Sequence, residues 1–155
     1  KKVAFFCTNC GMQEALQAAV LKEPNAYYPL PCCPSPFHAF PASLGVAVEE
    51  ADWGDIDAYI KKAAAILKEN DALDRFSTWP APVNYSMITG AFEYATNYIN
   101  GKYAEKGVFA DVKAALDVAT GYDVQLSNYE DGDGKLYPTY FMLYFDRVNF
   151  AEFVD

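Results

Sequence analysis

Residues 3–22, VAFFCTNCGMQEALQAAVLK, decide the fold of this chain. An apolar run from Val3 to Phe6 leads into a polar turn at residues 7–11, and apolar side chains then recur at helical spacing. This order predicts a strand that enters a helix through a tight turn. In open α/β sheets, ligands bind at the carboxyl ends of strands, where such turns lie. The turn is therefore the first candidate for a functional site.

Predicted strands and helices alternate along the rest of the chain. Further strands are expected over residues 26–30 and 75–79, each followed by a loop that contains prolines. The predicted helices cover residues 12–22, 54–69 and 108–118, and a further helix, capped by Asn84 or Ser86, runs to Asn100. This alternation predicts an α/β fold with three layers, in which helices flank a parallel sheet and an antiparallel hairpin follows at the C-terminal end. We expect residues 1–155 to form a single domain.

Local signals predict where some of these elements begin and which faces they bury. Asp52 has the residue type and position of an N-cap for the helix at 54–69. The sequence DGDG at 131–134 predicts the turn of the hairpin. In the helix that runs to Asn100, apolar residues recur three or four positions apart and predict a face turned to the core. That face consists of Ile88, Ala91, Phe92, Ala95 and Ile99.

The composition excludes several classes of protein. The chain has 155 residues, 52% of them apolar, and a net charge of −9. A negative field of this size repels phosphate backbones, so we expect no nucleic-acid partner. No apolar run approaches the roughly 20 residues that span a bilayer. The chain starts at Lys1 without an initiator methionine, and we expect it to be part of a longer protein.

The four cysteines form two clusters, Cys7 with Cys10 and Cys32 with Cys33. A Cys-x-x-Cys pair after a strand is typical of thiol–disulfide catalysts, although such sites usually separate the strand from the first cysteine. Four sulfurs also suit zinc, but adjacent cysteines are poorly placed to close one tetrahedron, and we expect no metal site. A disulfide between the clusters and free thiols are the remaining alternatives.

Three loops follow the predicted strands and carry aromatic rings, hydroxyls and an amide but few charges. Small-molecule sites have this composition, with apolar walls and a few placed polar groups. His38 is the single histidine, and no orienting group for nucleophilic catalysis accompanies it. We therefore expect ligand binding without catalysis and without a cofactor. The candidate ligand-binding residues are Thr8, Asn9, Cys10, Ser35, Phe37, His38, Trp79 and Tyr85.

An ordered series of short stretches resembles a family of uncharacterised bacterial lipoproteins, a domain of unknown function. The stretches are AFFCTN at 4–9, PSP at 34–36 running on to PASLGV at 41–46, DW at 52–53, TW at 78–79 and the strand at 140–150. None is specific alone, but together they span nearly the whole chain in order. The resemblance implies the type I periplasmic-binding-protein fold, of which this chain would be the C-terminal lobe.

The same resemblance implies what the protein does. The family is similar to the solute receptors of ABC importers, in which two hinged lobes close on a small molecule. It implies a solute-binding protein outside the cytoplasm, either periplasmic or anchored in the membrane as a lipoprotein. Its partners would be a solute, importer membrane subunits and an N-terminal lobe missing from this chain. Thr8, Asn9, Ser35 and Trp79 fall on matching positions near the cleft.

The chain departs from the family pattern at its cysteines. The family favours an acidic residue where Cys10 stands, and it lacks the adjacent pair Cys32 and Cys33. The joint departure implies a disulfide that links Cys10 to Cys32 or to Cys33. The alternative function, from a different class, is a thioredoxin-like thiol–disulfide oxidoreductase that uses Cys7 and Cys10.

Overall fold

The computed structural model describes residues 1–154, and this part of the chain forms a mixed α/β protein with five α-helices and two small sheets. The expected α/β class is confirmed. The chain divides into two compact units. The first unit runs from Lys1 to Val83 and resumes at Arg147, and the second unit is Asn84–Asp146.

Two strands and three helices make up the first unit. They are β1 (Val3–Ala4), α1 (Gln13–Lys22), β2 (Ala26–Tyr27), α2 (Phe40–Leu44) and α3 (Ile56–Glu69). Short 3-10 turns lie at Cys10–Met12, Glu50–Trp53 and Phe150–Phe153. The predicted strand, tight turn and helix of residues 3–22 are therefore confirmed.

Parallel pairing links the strands of the first unit. Val3 of β1 pairs with Ala26 of β2, and Tyr28 makes one parallel bridge to Phe76 on the far side. The carboxyl ends of these three segments therefore lie along one edge. Parallel strands need a crossover connection, which α1 provides between β1 and β2.

The chain returns to this sheet near Val148. The main-chain N–H of Val148 donates to the oxygen of Thr78 at 2.8 Å, and the hydroxyl of Ser77 donates to the oxygen of Val148 at 2.9 Å. These bonds fix the segment that resumes at Arg147 against the strand that contains Phe76. The first unit is therefore completed by residues that follow the second unit in sequence.

The sheet is narrower than the sequence predicts. Within residues 1–154, each sheet contains two named strands, rather than one wide parallel sheet between helical layers. Prolines give a physical reason, because Pro29 and Pro31 follow β2, and Pro80 and Pro82 follow the segment at Phe76. Proline has no N–H to donate to a ladder, so each segment stops pairing after a few residues.

Aromatic side chains form the core of the first unit. Tyr28, Phe40, Phe76 and Phe150 are all buried, and neighbouring ring centroids lie 5.7 to 6.3 Å apart. Such distances are typical of favourable ring pairs in protein cores. The cluster unites β2, α2, the third sheet segment and the last 3-10 turn. It therefore contributes hydrophobic stabilisation to the elements from which the loops leave.

Helix α3 begins later than the sequence predicts. Asp55 is its N-cap and accepts a hydrogen bond from the N–H of Ala58 at 3.0 Å. Asp52, the predicted cap, lies instead in the preceding 3-10 turn, where its carboxylate accepts from the N–H of Glu49 at 2.8 Å. Aspartate commonly caps helices, so both residues are candidates. Because Asp52 belongs to the 3-10 turn, Asp55 becomes the cap of α3.

The second unit contains two helices and a hairpin. They are α4 (Val83–Ile99), whose first residue belongs to the first unit, α5 (Phe109–Thr120), β3 (Gln125–Glu130) and β4 (Leu136–Tyr144). Strands β3 and β4 are antiparallel. The predicted hairpin turn is confirmed, because Asp131 Oδ1 accepts from the N–H of Asp133 and of Lys135, each at 3.0 Å.

The predicted buried face of α4 is wrong. Ile88, Phe92 and Ile99 are 70%, 73% and 80% exposed. The residues that α4 buries are Ser86 and Gly90. Within the second unit α4 comes close to α5 at Gly90, where a Cβ would collide with the side chain of Leu116. Because α4 approaches α5 through the small residue Gly90, the apolar face that contains Phe92 stays exposed.

Candidate functional site

Three loops lie at the carboxyl edge of the small parallel sheet. They are the first loop (residues 5–12), the second loop (29–39) and the third loop (77–83). Each follows one of three parallel segments, so the chain topology brings them to the same edge. This is the edge at which open α/β sheets bind ligands.

A fully buried glutamine holds the first loop. Gln13 Nε2 donates to the main-chain oxygens of Cys7 at 2.8 Å and Asn9 at 3.2 Å, and its Oε1 accepts from the hydroxyl of Tyr28. Burial raises the pKa of Tyr28 above its usual range, so this hydroxyl keeps its proton. The loop is therefore fixed by bonds from the core.

Asn9 and Thr8 are exposed at the tip of this loop. Asn9 Oδ1 accepts from the N–H of Gly11 at 2.9 Å and caps the turn Cys10–Met12. Its amide nitrogen has no hydrogen-bond partner among residues 1–154, and the residue is exposed. Asn9 thus keeps two N–H donors for another molecule.

The second loop folds into a compact turn around His38. The N–H of His38 donates to the oxygen of Ser35 at 3.2 Å, and Ser35 Oγ accepts from the N–H of Phe37 at 3.1 Å. His38 Nδ1 lies 2.9 Å from the oxygen of Cys33. Gln17 in α1 donates through Nε2 to the oxygen of His38 at 3.3 Å. The turn is therefore tied to the same helix that supports the first loop.

The first and second loops meet through sulfur atoms. Cys10 Sγ lies 3.3 Å from Cys32 Sγ and 3.7 Å from Cys33 Sγ, and all four cysteines are free thiols in the structure. The structure brings Cys10, but not Cys7, to Cys32 and Cys33, and the disulfide itself stays a prediction. Cys7 is directed elsewhere, because its sulfur contacts the oxygen of Asn9 at 3.8 Å.

The thiols of the second loop are kept protonated by their surroundings. Burial, followed by hydrogen bonding to the neighbouring thiols, raises the pKa of Cys32 to about 11. A hydrogen bond with Cys10, followed by burial, raises the pKa of Cys33. Thiols crowded together resist ionisation, because each new thiolate would face its neighbours without a compensating charge. A cation placed among them would reverse this effect.

The third loop contacts the second. The N–H of Val83 donates to the oxygen of Pro34 at 3.1 Å. Trp79 is half-buried in this loop. Thr78, the residue before it, is fully buried, and its Oγ1 has no hydrogen-bond partner among the described residues. An unpaired buried hydroxyl is costly, which makes this position unusual.

Two further predicted site residues, Phe37 and Tyr85, have different surroundings. The ring of Phe37 packs against Trp53 at 4.6 Å and Tyr59 at 4.8 Å, so its faces are used inside the first unit. Tyr85 is 64% exposed and belongs to the second unit. The first unit therefore brings together the loops of Thr8, Asn9, Cys10, Ser35, His38 and Trp79.

Sequence reasoning missed the residues that support the loops. Gln13 and Gln17 occupy helix positions that are fully buried, although glutamine is usually exposed. Their four-residue spacing on one face of α1 was the available signal, because such residues lie on the same side of a helix. The grouping of His38 with three cysteines was also missed, since the loop conformation decides it.

The fold and the loops define a mixed α/β protein with a candidate site at the strand ends. A family described as “Protein of unknown function (DUF3798)” matches residues 1–77, which include both cysteine clusters and His38. No curated protein matches the sequence. The comparisons give no sign of catalysis.

One similar solved structure is described as a “Putative transcriptional regulator from Clostridium difficile 630”. It shares 16% sequence identity, with a TM-score of 0.78 over 96% of this chain and 41% of that chain. At this identity the likeness shows the fold alone. The present chain thus spans about two fifths of the length of that structure. No helix within residues 1–154 combines the length and apolar character needed to cross a membrane.

Proposed function

We propose that this chain forms one lobe of an extracytoplasmic solute-binding protein with the type I periplasmic-binding-protein fold. The observation that carries this proposal is the joining of three loops at one sheet edge. Sulfur contacts at 3.3 and 3.7 Å join the first loop to the second, and the Val83 to Pro34 hydrogen bond at 3.1 Å joins the second to the third. Parallel α/β sheets bind small molecules at this edge.

The polar groups at this edge suit a neutral or weakly charged solute. Asn9 offers amide donors, Thr8 offers a hydroxyl, and Trp79 offers an aromatic surface. In this proposal Ser35, Cys10 and His38 shape the loops, because their side chains are already used in contacts within them. Sugars, nucleosides, amino acids and peptides are all compatible with such a lining.

A second lobe would complete the site. The similar solved structure is longer than this chain, which covers 41% of it, so that structure has room for another lobe. In the proposed mechanism, solute contacts both lobes and shifts an equilibrium between open and closed forms. The protein would be exported, held in the periplasm or anchored as a lipoprotein, and would deliver solute to the membrane subunits of an ABC importer.

The oxidoreductase alternative has less support from the geometry. It needs Cys7 and Cys10 to act as a pair, whereas Cys10 contacts Cys32 and Cys33 instead. A role in binding DNA is also disfavoured, because a net charge of −9 repels phosphate groups. An insulin-reduction assay decides the first point, since activity that disappears in Cys7→Ser would favour the oxidoreductase.

Tryptophan fluorescence tests the proposal directly. The chain has two tryptophans, so Trp53→Phe leaves Trp79 as the sole reporter. The protein is titrated with separate panels of monosaccharides, amino acids and nucleosides. We expect saturable quenching or enhancement with members of one panel, and a dissociation constant about tenfold higher in Asn9→Ala, because one hydrogen bond is lost.

Asn25→Ala is the matched control. Asn25 is an exposed asparagine in the same unit, but it precedes β2 and therefore lies at the opposite end of that strand. Its substitution should leave the dissociation constant unchanged. Equal losses in both variants, or no saturable signal with any panel, would contradict a solute site at the carboxyl edge.

A further inference from the structure

We infer that Cys10, Cys32, Cys33 and His38 bind one Zn²⁺ ion. One ligand atom from each of these side chains lies within 4.8 Å of the others. They come from two loops of the first unit. This site is separate from the proposed solute contacts, because neither Asn9 nor Trp79 belongs to it.

The sulfur spacing fits a tetrahedral metal. A Zn–S bond is about 2.3 Å long, so two thiolates on one tetrahedron lie about 3.8 Å apart. Cys10 Sγ is 3.7 Å from Cys33 Sγ and 3.3 Å from Cys32 Sγ. Movements of a few tenths of an ångström would bring Cys10 Sγ to the tetrahedral spacing from both neighbours, and the sulfurs of Cys32 and Cys33 lie within 4.8 Å of each other. A disulfide, by contrast, requires about 2.05 Å between two sulfurs and leaves the third alone.

His38 is prepared to be the fourth ligand. Its Nδ1 lies 2.9 Å from the main-chain oxygen of Cys33. Because a carbonyl oxygen can only accept, this contact makes Nδ1 the donor and leaves the lone pair on Nε2. Metal-binding histidines almost always donate their second nitrogen in this way, which fixes the tautomer and the ring.

The backbone explains how adjacent cysteines reach one point. Residues 32 and 33 form a bend rather than a strand, so their side chains need not alternate between opposite sides. Cys10 begins a 3-10 turn capped by Asn9. Gln17 fixes the oxygen of His38 from α1. The ligands are therefore held by hydrogen bonds from outside the cluster, as precise metal sites require.

Ligand type and number favour zinc over other metals. Three thiolates and one imidazole form a recognised Cys₃His zinc set. With four protein ligands the tetrahedron is closed, which is typical of a structural site that holds loops together. An iron–sulfur cluster would separate the thiolates by a cage of several atoms, which these short sulfur distances do not allow. Binding would replace the thiol protons, and the ion would balance the new negative charges.

Zinc titration of the full chain tests this inference. The protein is reduced, freed of metal with a chelator, and titrated with Zn²⁺ alone under anaerobic conditions. We expect one Zn²⁺ per chain and a higher thermal midpoint with zinc than without it. Zinc-edge X-ray absorption should show three sulfurs at about 2.3 Å and one nitrogen at about 2.0 Å.

Substitution of single ligands identifies the set. Cys10→Ser, Cys33→Ser and His38→Ala should each weaken Zn²⁺ binding by more than about 100-fold. Cys7→Ser is the matched control, because Cys7 lies outside the cluster, and it should bind Zn²⁺ as the natural chain does. Circular dichroism of each metal-free variant shows whether it has kept its fold.

Three results of these experiments would overturn the inference. They are the absence of stoichiometric zinc, a ligand shell without sulfur, and an equal loss of binding in Cys7→Ser. A Cys10 disulfide in protein isolated from its native host would also overturn it, because an oxidised sulfur cannot serve as a thiolate. Failure here would leave solute binding at Asn9 and Trp79 untouched, since the fluorescence titration is performed without zinc.

Discussion

The guanidinium of Arg75 donates to the main-chain oxygen of Val20 at 2.6 Å, where α1 ends. The same side chain donates to the oxygens of Leu21 at 3.1 Å and Glu23 at 2.9 Å, and it is 6% exposed. These oxygens lie at the negative end of the helix dipole, where few main-chain donors remain: the N–H of Glu23 reaches the oxygen of Val20 at 3.2 Å, and that of Ala26 reaches the oxygen of Glu23 at 3.0 Å. Arg75 therefore caps α1 from the third sheet segment.

Arg75→Lys should destabilise the protein by about 3 kcal/mol, because an ammonium cannot reach all of these oxygens and charged hydrogen bonds are lost. Chemical denaturation measures the free energy of unfolding. Lys22→Arg is the control, since it adds a guanidinium at the exposed end of α1. A loss below about 0.5 kcal/mol in Arg75→Lys would mean that the cap contributes little.

Two buried tyrosines give a matched pair of substitutions. Tyr28 donates to Gln13, whereas the hydroxyl of Tyr59 has no hydrogen-bond partner among the described residues. Tyr28→Phe should cost about 1–3 kcal/mol, because it leaves Gln13 Oε1 buried and unpaired. Tyr59→Phe should be neutral or stabilising, because it removes an unpaired hydroxyl. Thermal denaturation of both variants checks the contrast, and equal effects would contradict it.

Stability should fall in alkaline solution. Burial raises the pKa of both Tyr28 and Tyr59 above the usual range. A raised pKa in the folded state means that the neutral form is favoured by folding, so its contribution is complete below about pH 10 and is lost as the pH rises further. The double variant Tyr28→Phe, Tyr59→Phe should show a smaller loss. Denaturation midpoints between neutral pH and about pH 11 test this expectation.

Asp52 should make the first unit sensitive to acid. The N–H of Glu49, followed by the ammonium of Lys62 at 3.0 Å, lowers the pKa of this carboxyl. A lowered pKa gives stability that is present above the unfolded value, about 3.9, and is lost as the pH falls below it. Asp52→Asn should reduce the free energy of unfolding at neutral pH and make its fall at low pH less steep. Chemical denaturation at a series of pH values measures both effects. If the stability of Asp52→Asn falls at low pH as steeply as that of the natural chain, other carboxylates cause the acid sensitivity.

Gly90→Ala should destabilise the second unit by about 1–3 kcal/mol, as overpacking does. A Cβ there would lie 3.0 Å from Leu116 Cγ and closer still to one of its methyl carbons. Ala91→Gly serves as the comparison, because Ala91 is exposed and should lose only about 1 kcal/mol of helix propensity. Hydrogen exchange in α4 and α5 reports the change. A neutral Gly90→Ala would mean that Leu116 adopts another rotamer freely.

Phe92→Ser should leave the free energy of unfolding within about 0.5 kcal/mol, because Phe92 is 73% exposed. A residue in the core would instead cost several kcal/mol. Its helical spacing with Ile88 predicts burial, so this substitution separates the sequence pattern from the structure. Chemical denaturation measures the free energy of unfolding, and a loss of several kcal/mol would show that Phe92 is part of the core.

Periodicity and turn chemistry predicted the elements of this fold but not their partners. Helices α4 and α5 and the hairpin turn at Asp131 follow from local spacing, which acts over a few residues. The buried side of α4 does not follow from local spacing, because the contact between Gly90 and Leu116 decides which side of the helix packs. Local patterns record that a face is apolar, not whether a neighbour covers it.

The loop residues show the same limit. Asn9 and Trp79 could be assigned to strand ends, because strand order in a parallel sheet fixes which edge a loop occupies. The meeting of Cys10 with Cys33 depends on a bend at residues 32–33, and no periodic signal describes a bend. In an extended chain, the side chains of adjacent cysteines would point to opposite sides, and the bend at residues 32–33 removes this obstacle to their acting together.

The return of the chain at Val148 and Phe150 has a consequence for biosynthesis. Phe40 lacks its neighbour Phe150, and Thr78 lacks the N–H of Val148, until the whole second unit has left the ribosome. Residues 1–83 therefore keep part of their hydrophobic surface exposed while the intervening residues are translated. Chaperone dependence should therefore be greatest for nascent chains that stop just before Arg147.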